Sequence, residues 1–197
     1  ETLKPVKGEY ILNSTGGQQA WAGQSSAAVD NMTSNVWLWH GGTWFVNDNG
    51  TWRSLNFPAM PSGWTHVATV ADPSGMYIYY NGNLVASNAS GITASIRNNA
   101  SSIIDLGHDP RFAAGTPGRN SNVGFENFRV WNTTRSATDI LNNMNTCLAP
   151  SENGLVQSTE FNEGTGVALT SLKGPAGTII NPASNWIPGT GDCFSCS

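Results

Sequence analysis

Five of the chain's eight tryptophans fall between residues 21 and 52: Trp21, Trp37, Trp39, Trp44 and Trp52. Trp37 and Trp39 are two residues apart, so on a strand they share a face, while Val36, Leu38 and His40 share the other. Both faces are then rich in apolar groups. One must meet a core, and the other is open to stack an aromatic ring on the apolar face of a ligand such as a sugar. Trp37, Trp39, Trp44 and Trp52 are therefore candidate ligand contacts. The competing reading is that they fill the interior, as is expected of Trp64 and Trp131.

Oxygen-bearing side chains raise a second possibility, a calcium site. Asp105, Asp109 and Glu126 lie near the ends of a Gly-, Pro- and Asn-rich loop over 108–122 and are the candidate metal ligands. His108, Arg111 and Asn120 in the same loop are candidate ligand contacts. Asp48, with Asn47 and Asn49, forms a second acidic turn. Neither group has the spaced acids of an EF-hand loop, and Asp or Asn in a turn more often serves the backbone. His40, His66 and His108 show no metal spacing. His66 falls on the strand face of Trp64 and Ala68 and reads as a neutral packed residue.

Catalytic groupings are sparse. Glycoside hydrolysis needs two carboxylates held close across the scissile bond. The nearest candidates, Glu160 and Glu163, flank Phe161-Asn162 and match no strand pattern. No Ser-His-Asp grouping, phosphate-binding loop or His-Glu-x-x-His motif is present. A binding module is expected, not an enzyme. Asn13, Asn31, Asn49, Asn88, Asn99 and Asn132 each open an Asn-x-Ser/Thr sequon, close to what chance gives in so Asn- and Ser/Thr-rich a chain. Cys147, Cys193 and Cys196 allow one bridge and one odd thiol, with Cys147–Cys193 the preferred pair. The Cys193-x-x-Cys196 spacing lacks the strand-helix setting of a redox motif.

The elements that must position these groups are mostly strands. Trp37–His40, Gly41-Gly42 and Thr43–Val46 read as a hairpin with a two-residue glycine turn. Asn47–Gly50 then turns the chain into a strand over 51–55. Further strands are expected at 64–70, 76–80, 84–86, 102–107, 123–131, 155–161 and 178–180. Asp72-Pro73-Ser74-Gly75 and Asn81-Gly82 supply tight turns. One short helix is expected from an N-cap at Ser136 to about Met144, with Asp139 suited to the helix dipole. Many short strands separated by turn signals make an all-β sandwich or barrel.

The composition agrees. The chain has 197 residues, 39% of them hydrophobic and only 11% charged, with a net charge of −4. That length suits one β-sandwich domain over 1–197. Scattered Lys and Arg without a basic stripe argue against nucleic acid as partner, and no apolar run is long enough for membrane insertion. The chain opens on a polar segment at Glu1, which reads as a mature form or an excised domain.

The run from Trp64 to Met144 resembles the laminin-G-like, concanavalin-A-like jelly-roll superfamily. The resemblance is carried by Trp64-Thr65-His66-Val67-Ala68, Asp72-Pro73-Ser74-Gly75, Tyr77-Ile78-Tyr79-Tyr80-Asn81-Gly82, Ile104-Asp105-Leu106-Gly107, Gly124 to Trp131 and the Ser136–Ile140 helix start. Asn153-Gly154-Leu155-Val156, Phe161 to Gly166 and Gly177 to Ile180 look like the closing segment of such modules in large secreted bacterial surface proteins. The resemblance implies a two-sheet antiparallel jelly-roll sandwich. It also implies a secreted or cell-surface module for adhesion, lectin-like sugar binding or protein binding, sometimes holding one calcium. A glycan or cell-surface polysaccharide is the expected partner. The N-terminal third departs from the family's pattern. Glu1 to Pro5 resembles part of an opening strand, but an earlier strand is missing, so a sheet edge is expected to be unpaired or filled by another chain. The alternative function is then a protein-interaction module of a larger fibre or adhesin.

Overall fold

The N-terminal third supplies a strand to the middle of one sheet. The computed structural model describes residues 7–14, 22–25, 35–40, 42–48, 50–92, 103–109, 123–180 and 186. In it β1 (Lys7–Ser14) lies between β10 (Val123–Trp131) and β6 (Trp64–Asp72), antiparallel to both. Tyr10 pairs with Phe128 on one side and with Val67 on the other. The strand is hard to read because only Tyr10-Ile11-Leu12 is an apolar run, set between Lys7-Gly8-Glu9 and Asn13-Ser14. The segment Glu1 to Pro5 lies outside the described residues.

Two antiparallel sheets form the sandwich. The first has the order β11-β10-β1-β6-β7-β8, with β7 at Gly75–Tyr80, β8 at Asn83–Asn88 and β11 at Leu155–Thr159. The second has the order β5-β4-β3-β2-β9, from β2 (Ala22–Ser25), β3 (Asn35–His40), β4 (Thr43–Asp48), β5 (Thr51–Asn56) and β9 (Ile103–Leu106). A two-stranded ribbon, β12 (Ala168–Leu169) with β13 (Gly177–Thr178), stands beside them. The late strands are thus shorter than expected. β11 ends at Thr159, because Phe161 turns at φ +57° and cannot continue a ladder.

Period-two alternation decides what fills the space between the sheets. Trp44 and Val46 of β4 meet Val67 and Ala71 of β6, Met76, Ile78 and Tyr80 of β7, and Phe128 and Val130 of β10. β6 is buried on both faces: its alternate residues Ala68 and Val70 pack outward against Tyr79 and Ile140. Ile140 belongs to α1 (Ala137–Asn143), which lies over that outer face. Removing Ile140 from water contributes about 1.5–3 kcal/mol. The helix starts where expected. Ser136 Oγ accepts from the Asp139 amide at 3.1 Å, and Asp139 accepts from the Ser136 amide at 2.9 Å, a closed capping box. The helix docks so tightly on the β7–β8 turn that a Cβ at Gly82 would stand 2.6 Å from Leu141 Cδ1. Gly82 has φ +78° after Asn81 at φ +48°, so both backbone conformation and space call for glycine there.

One irregularity rearranges β10. The ladder to β1 slips between Tyr10 and Ile11, leaving Asn127 bulged at φ +57°. A bulge changes the parity of the strand. Val123 and Phe125 before it, and Phe128 and Val130 after it, therefore all pack on the inner core. Unbroken alternation would have put Phe125 on the face of Arg129.

Candidate functional site

The turn after β4 decides which aromatic residues reach the surface. Asp48 pairs with Thr51 across it, which sets Trp44 opposite Leu55, Phe45 opposite Ser54, Val46 opposite Arg53 and Asn47 opposite Trp52. Asn47 holds the turn by accepting from the Gly50 amide at 2.6 Å. Cross-strand partners share a face. Trp44, Val46, Arg53 and Leu55 thus belong to the inner face, while Thr43, Phe45, Asn47, Trp52, Ser54 and Asn56 belong to the outer one.

Trp44 is corrected by this register. It is 2% exposed within the core, and a ring packed on both sides cannot stack on a ligand. Trp52 takes the opposite fate. It lies partly exposed on the outer face and meets Phe45 edge to face, with ring centroids 6.3 Å apart and planes at 87°. Trp37 and Trp39 pair with Val46 and Trp44 respectively, so they occupy register positions on the same sheet face as these two core residues. Their side chains lie outside the described residues, as do Trp21, Arg111 and Asn120. Trp131 is 1% exposed, as expected of core, whereas Trp64 at the start of β6 is only partly buried.

The outer face therefore carries a corner of two aromatic rings between two strands, flanked by neutral polar groups. Thr43 Oγ1 donates to Asn56 Oδ1 at 3.0 Å beside it, and Ser54 is exposed in line with Phe45. The single charged pair of these two strands, Asp48 and Arg53, alternates to the other face, with Arg53 Nε 3.4 Å from Asp48 Oδ2. Asp48 and Asn47 thus serve the turn and the pair beneath it.

The three candidate metal ligands are not brought together. Asp105 lies on the outer face of the five-stranded sheet, because its neighbours Ile104 and Leu106 pack on the core. Asp109 follows it and is fully buried. Glu126 lies on the outer face of the other sheet, in register with Ile11, which itself pairs with His66. Asp105 and Glu126 thus stand on opposite outsides of the sandwich, too far apart to share an ion, and Glu126 leaves the set. Among the described residues no three His, Cys, Asp or Glu side chains group as metal ligands. His108 Nδ1 is 3.7 Å from Asp105 Oδ2. Burial pushes the Asp105 carboxyl up, while the charge and hydrogen bond of His108 oppose it.

His66 is a packed residue, as expected. Its backbone amide donates to Asn81 Oδ1 at 3.0 Å, and neither ring nitrogen finds a hydrogen-bond partner among the described residues. Burial, and then the nearby Arg129 charge, lower it to about 3, so its ring is neutral. Glu160 accepts from Asn162 Nδ2 at 3.0 Å, and Glu163 accepts from both the amide and the hydroxyl of Thr170 at 2.6 Å. Burial opposes ionisation of Glu163, yet the Thr170 bonds and the Glu163 amide outweigh it and hold the carboxyl below its usual range. A general acid needs the reverse, a carboxyl raised toward neutrality. Glu163 instead closes a turn.

Two features escaped the sequence reading. Phe45 was read only as part of a strand, although the Asn47–Gly50 turn chemistry fixes the register that sets it beside Trp52. The Asn127 bulge leaves no local signal beyond an Asn, a residue tolerant of positive φ.

The chain belongs to the concanavalin A-like lectin/glucanase superfamily, whose family model matches residues 10–141. Solved structures share its fold at low identity. A candidate carbohydrate-binding protein from Bacteroides ovatus ATCC 8483 aligns with TM-score 0.62 at 16% identity, over 90% of this chain and 52% of its own. The native heptameric SAP-like pentraxin of Limulus polyphemus aligns with TM-score 0.52 at 12% identity, over 89% of this chain and 83% of its own. The botulinum neurotoxin serotype D binding domain aligns with TM-score 0.51 at 13% identity, over 87% and 48% respectively. The chain thus spans about half the length of the Bacteroides protein. No curated protein matches it.

Proposed function

We propose that this chain is a secreted or cell-surface, lectin-like module that binds glycan and does not catalyse. The observation that carries the reading is the Phe45–Trp52 corner on the outer face of the five-stranded sheet, flanked by Thr43, Ser54 and Asn56. Rings of this kind stack on the C–H face of a sugar, and the hydroxyl and amide groups beside them match its hydroxyls. The superfamily match and the carbohydrate-binding description of the Bacteroides structure support it. The lowered carboxyl of Glu163, tied to the Thr170 hydroxyl, supports the non-enzymatic part. Among the described residues no helix is long and apolar enough to cross a membrane.

Calcium enters the proposal through Asp105 and Asp109 alone. An oxidising compartment goes with the reading, and with it a bridge from Cys147. Cys193, its preferred partner, lies outside the described residues. A glycan array probed with the intact chain, with and without chelator, tests the reading. Specific signals are expected, reduced by chelator if Asp105 and Asp109 hold calcium. An array blank under both conditions overturns it.

A further inference from the structure

We infer that the saccharide held on the Phe45–Trp52 face is uncharged: a neutral glycan, not one recognised through carboxylate, sulfate or sialic acid groups. The inference rests on the glycan-binding reading and adds the chemical class of its ligand.

The six outer-face positions of β4 and β5 are Thr43, Phe45, Asn47, Trp52, Ser54 and Asn56. None of them ionises near neutral pH. An anionic sugar is normally met by a guanidinium or ammonium, whose charge-assisted bonds are about twice as strong as neutral ones. Arg53 is the cation closest in sequence to this face, but it alternates to the opposite side, where Asp48 neutralises it at 3.4 Å. Asp48 is 4% exposed, so the pair is anchored from below. Farther across the same outer face, along the register from Phe45 through Leu38 and Gly23, lies Asp105. Asp105 is itself paired with His108 at 3.7 Å, the titratable register position next to the corner is His40 opposite Thr43, and the whole chain carries a net charge of −4. The net negative charge repels an anion.

What the face does offer suits neutral hydroxyls. The edge-to-face geometry of Phe45 and Trp52, with planes at 87°, makes a two-sided corner instead of a flat slab. A pyranose ring can lay its C–H face on one ring while its rim meets the other. Thr43, Ser54 and Asn56 add neutral donors and acceptors at the border. Bonds of this kind contribute about 0.5–1.5 kcal/mol each and depend little on salt.

The test titrates the full chain by calorimetry with cello-, xylo- and galacto-oligosaccharides, and in parallel with sialyllactose and oligogalacturonate, at low and high salt. Trp52→Ala and the gentler Trp52→Phe are carried alongside, with unfolding midpoints measured for both. The expected result is binding of at least one neutral probe that is insensitive to salt. Trp52→Ala should weaken it about tenfold or more, the loss of a stacking ring, and Trp52→Phe should restore part of it. Trp52-dependent binding confined to the anionic probes, or binding that collapses at high salt, overturns the inference while leaving glycan binding intact. Neutral binding indifferent to both Trp52 variants overturns it as well, by moving the ligand off this face. If none of the probes binds and the glycan array is also blank, the glycan reading falls and takes the inference with it.

Discussion

Arg129 of β10 donates to the backbone carbonyl of Asn143 at 3.0 Å, and its second terminal nitrogen reaches the carbonyl of Thr146 at 2.7 Å. A strand side chain thereby caps the C-terminal end of α1, which has no basic residue in its own last turn. The carbonyls at a helix end lack partners within the helix, and a cation there also meets the negative end of its dipole. The register adds that Glu9 of β1 pairs with Arg129. Arg129→Met keeps the aliphatic stem but strands the two carbonyls. It is expected to lower stability by about 2–4 kcal/mol, read as a fall in the urea midpoint at unchanged slope. Arg129→Lys, with one donor group and no fork, should recover only part. A midpoint unchanged in Arg129→Met would show that the helix end is held by other means.

Asn127 tests the bulge. Its φ of +57° is tolerated by Asn and Gly but strained for β-branched residues. Asn127→Val is expected to cost about 1–3 kcal/mol, whereas Asn127→Gly should come close to wild type. Equal losses in the two variants would mean that the Asn side chain, and not the backbone conformation, is what matters there.

This position also marks where the sequence was legible and where it was not. Elements with a strong local signal were readable: the Trp37–Val46 hairpin with its glycine turn, the Asn81-Gly82 turn, and α1 with its Ser136 cap. Local chemistry fixes each of them. The inward set of β10 was not readable, because one inserted residue at Asn127 flips parity for everything before it, and the flip is decided by pairing with β1 far away in sequence. The same reason explains the candidate site. Four tryptophans were credible contacts by type, but Trp44 and Trp52 were separated only by the register of β4 on β5. That register turns Trp44 into core and Trp52 outward beside Phe45. Glu126 likewise looked close to Asp105 only while the sheet assignment of each was unknown.

The capping box gives a smaller and cleaner effect. Ser136→Ala removes both the acceptor for the Asp139 amide and the hydroxyl that donates to Asp139 at 2.7 Å. A loss of about 1 kcal/mol is expected, measured by thermal or urea unfolding. Asp139 is held below the usual carboxylate range first by the Ser136 hydroxyl and then by its amide. The variant should therefore raise the Asp139 pKa, observable by carboxyl NMR titration. A pKa that stays depressed in Ser136→Ala would assign the shift to some other group.

His66 predicts how stability depends on pH. Its ring is buried and neutral with a pKa lowered to about 3, against about 6.5 in the unfolded chain. Between these values the unfolded chain binds a proton that the folded chain refuses. Its contribution is therefore fully present above about pH 6.5 and is lost as pH falls toward 3. Within that window one such group costs about 1.4 kcal/mol per pH unit. Asp139 and Glu163, both lowered, lose their contributions only at pH values below the ordinary carboxylate range. The interval from about pH 6.5 to 5 lies above both, and the comparison with His66→Gln separates His66 from the remaining groups, the raised Asp105 carboxyl among them. His66→Gln, neutral throughout, should flatten the slope of unfolding free energy there by about one proton's worth while leaving the steeper acid limb below it. Urea melts at several pH values decide the matter. If wild type and His66→Gln run parallel across that interval, the buried ring is not what makes the fold acid-sensitive.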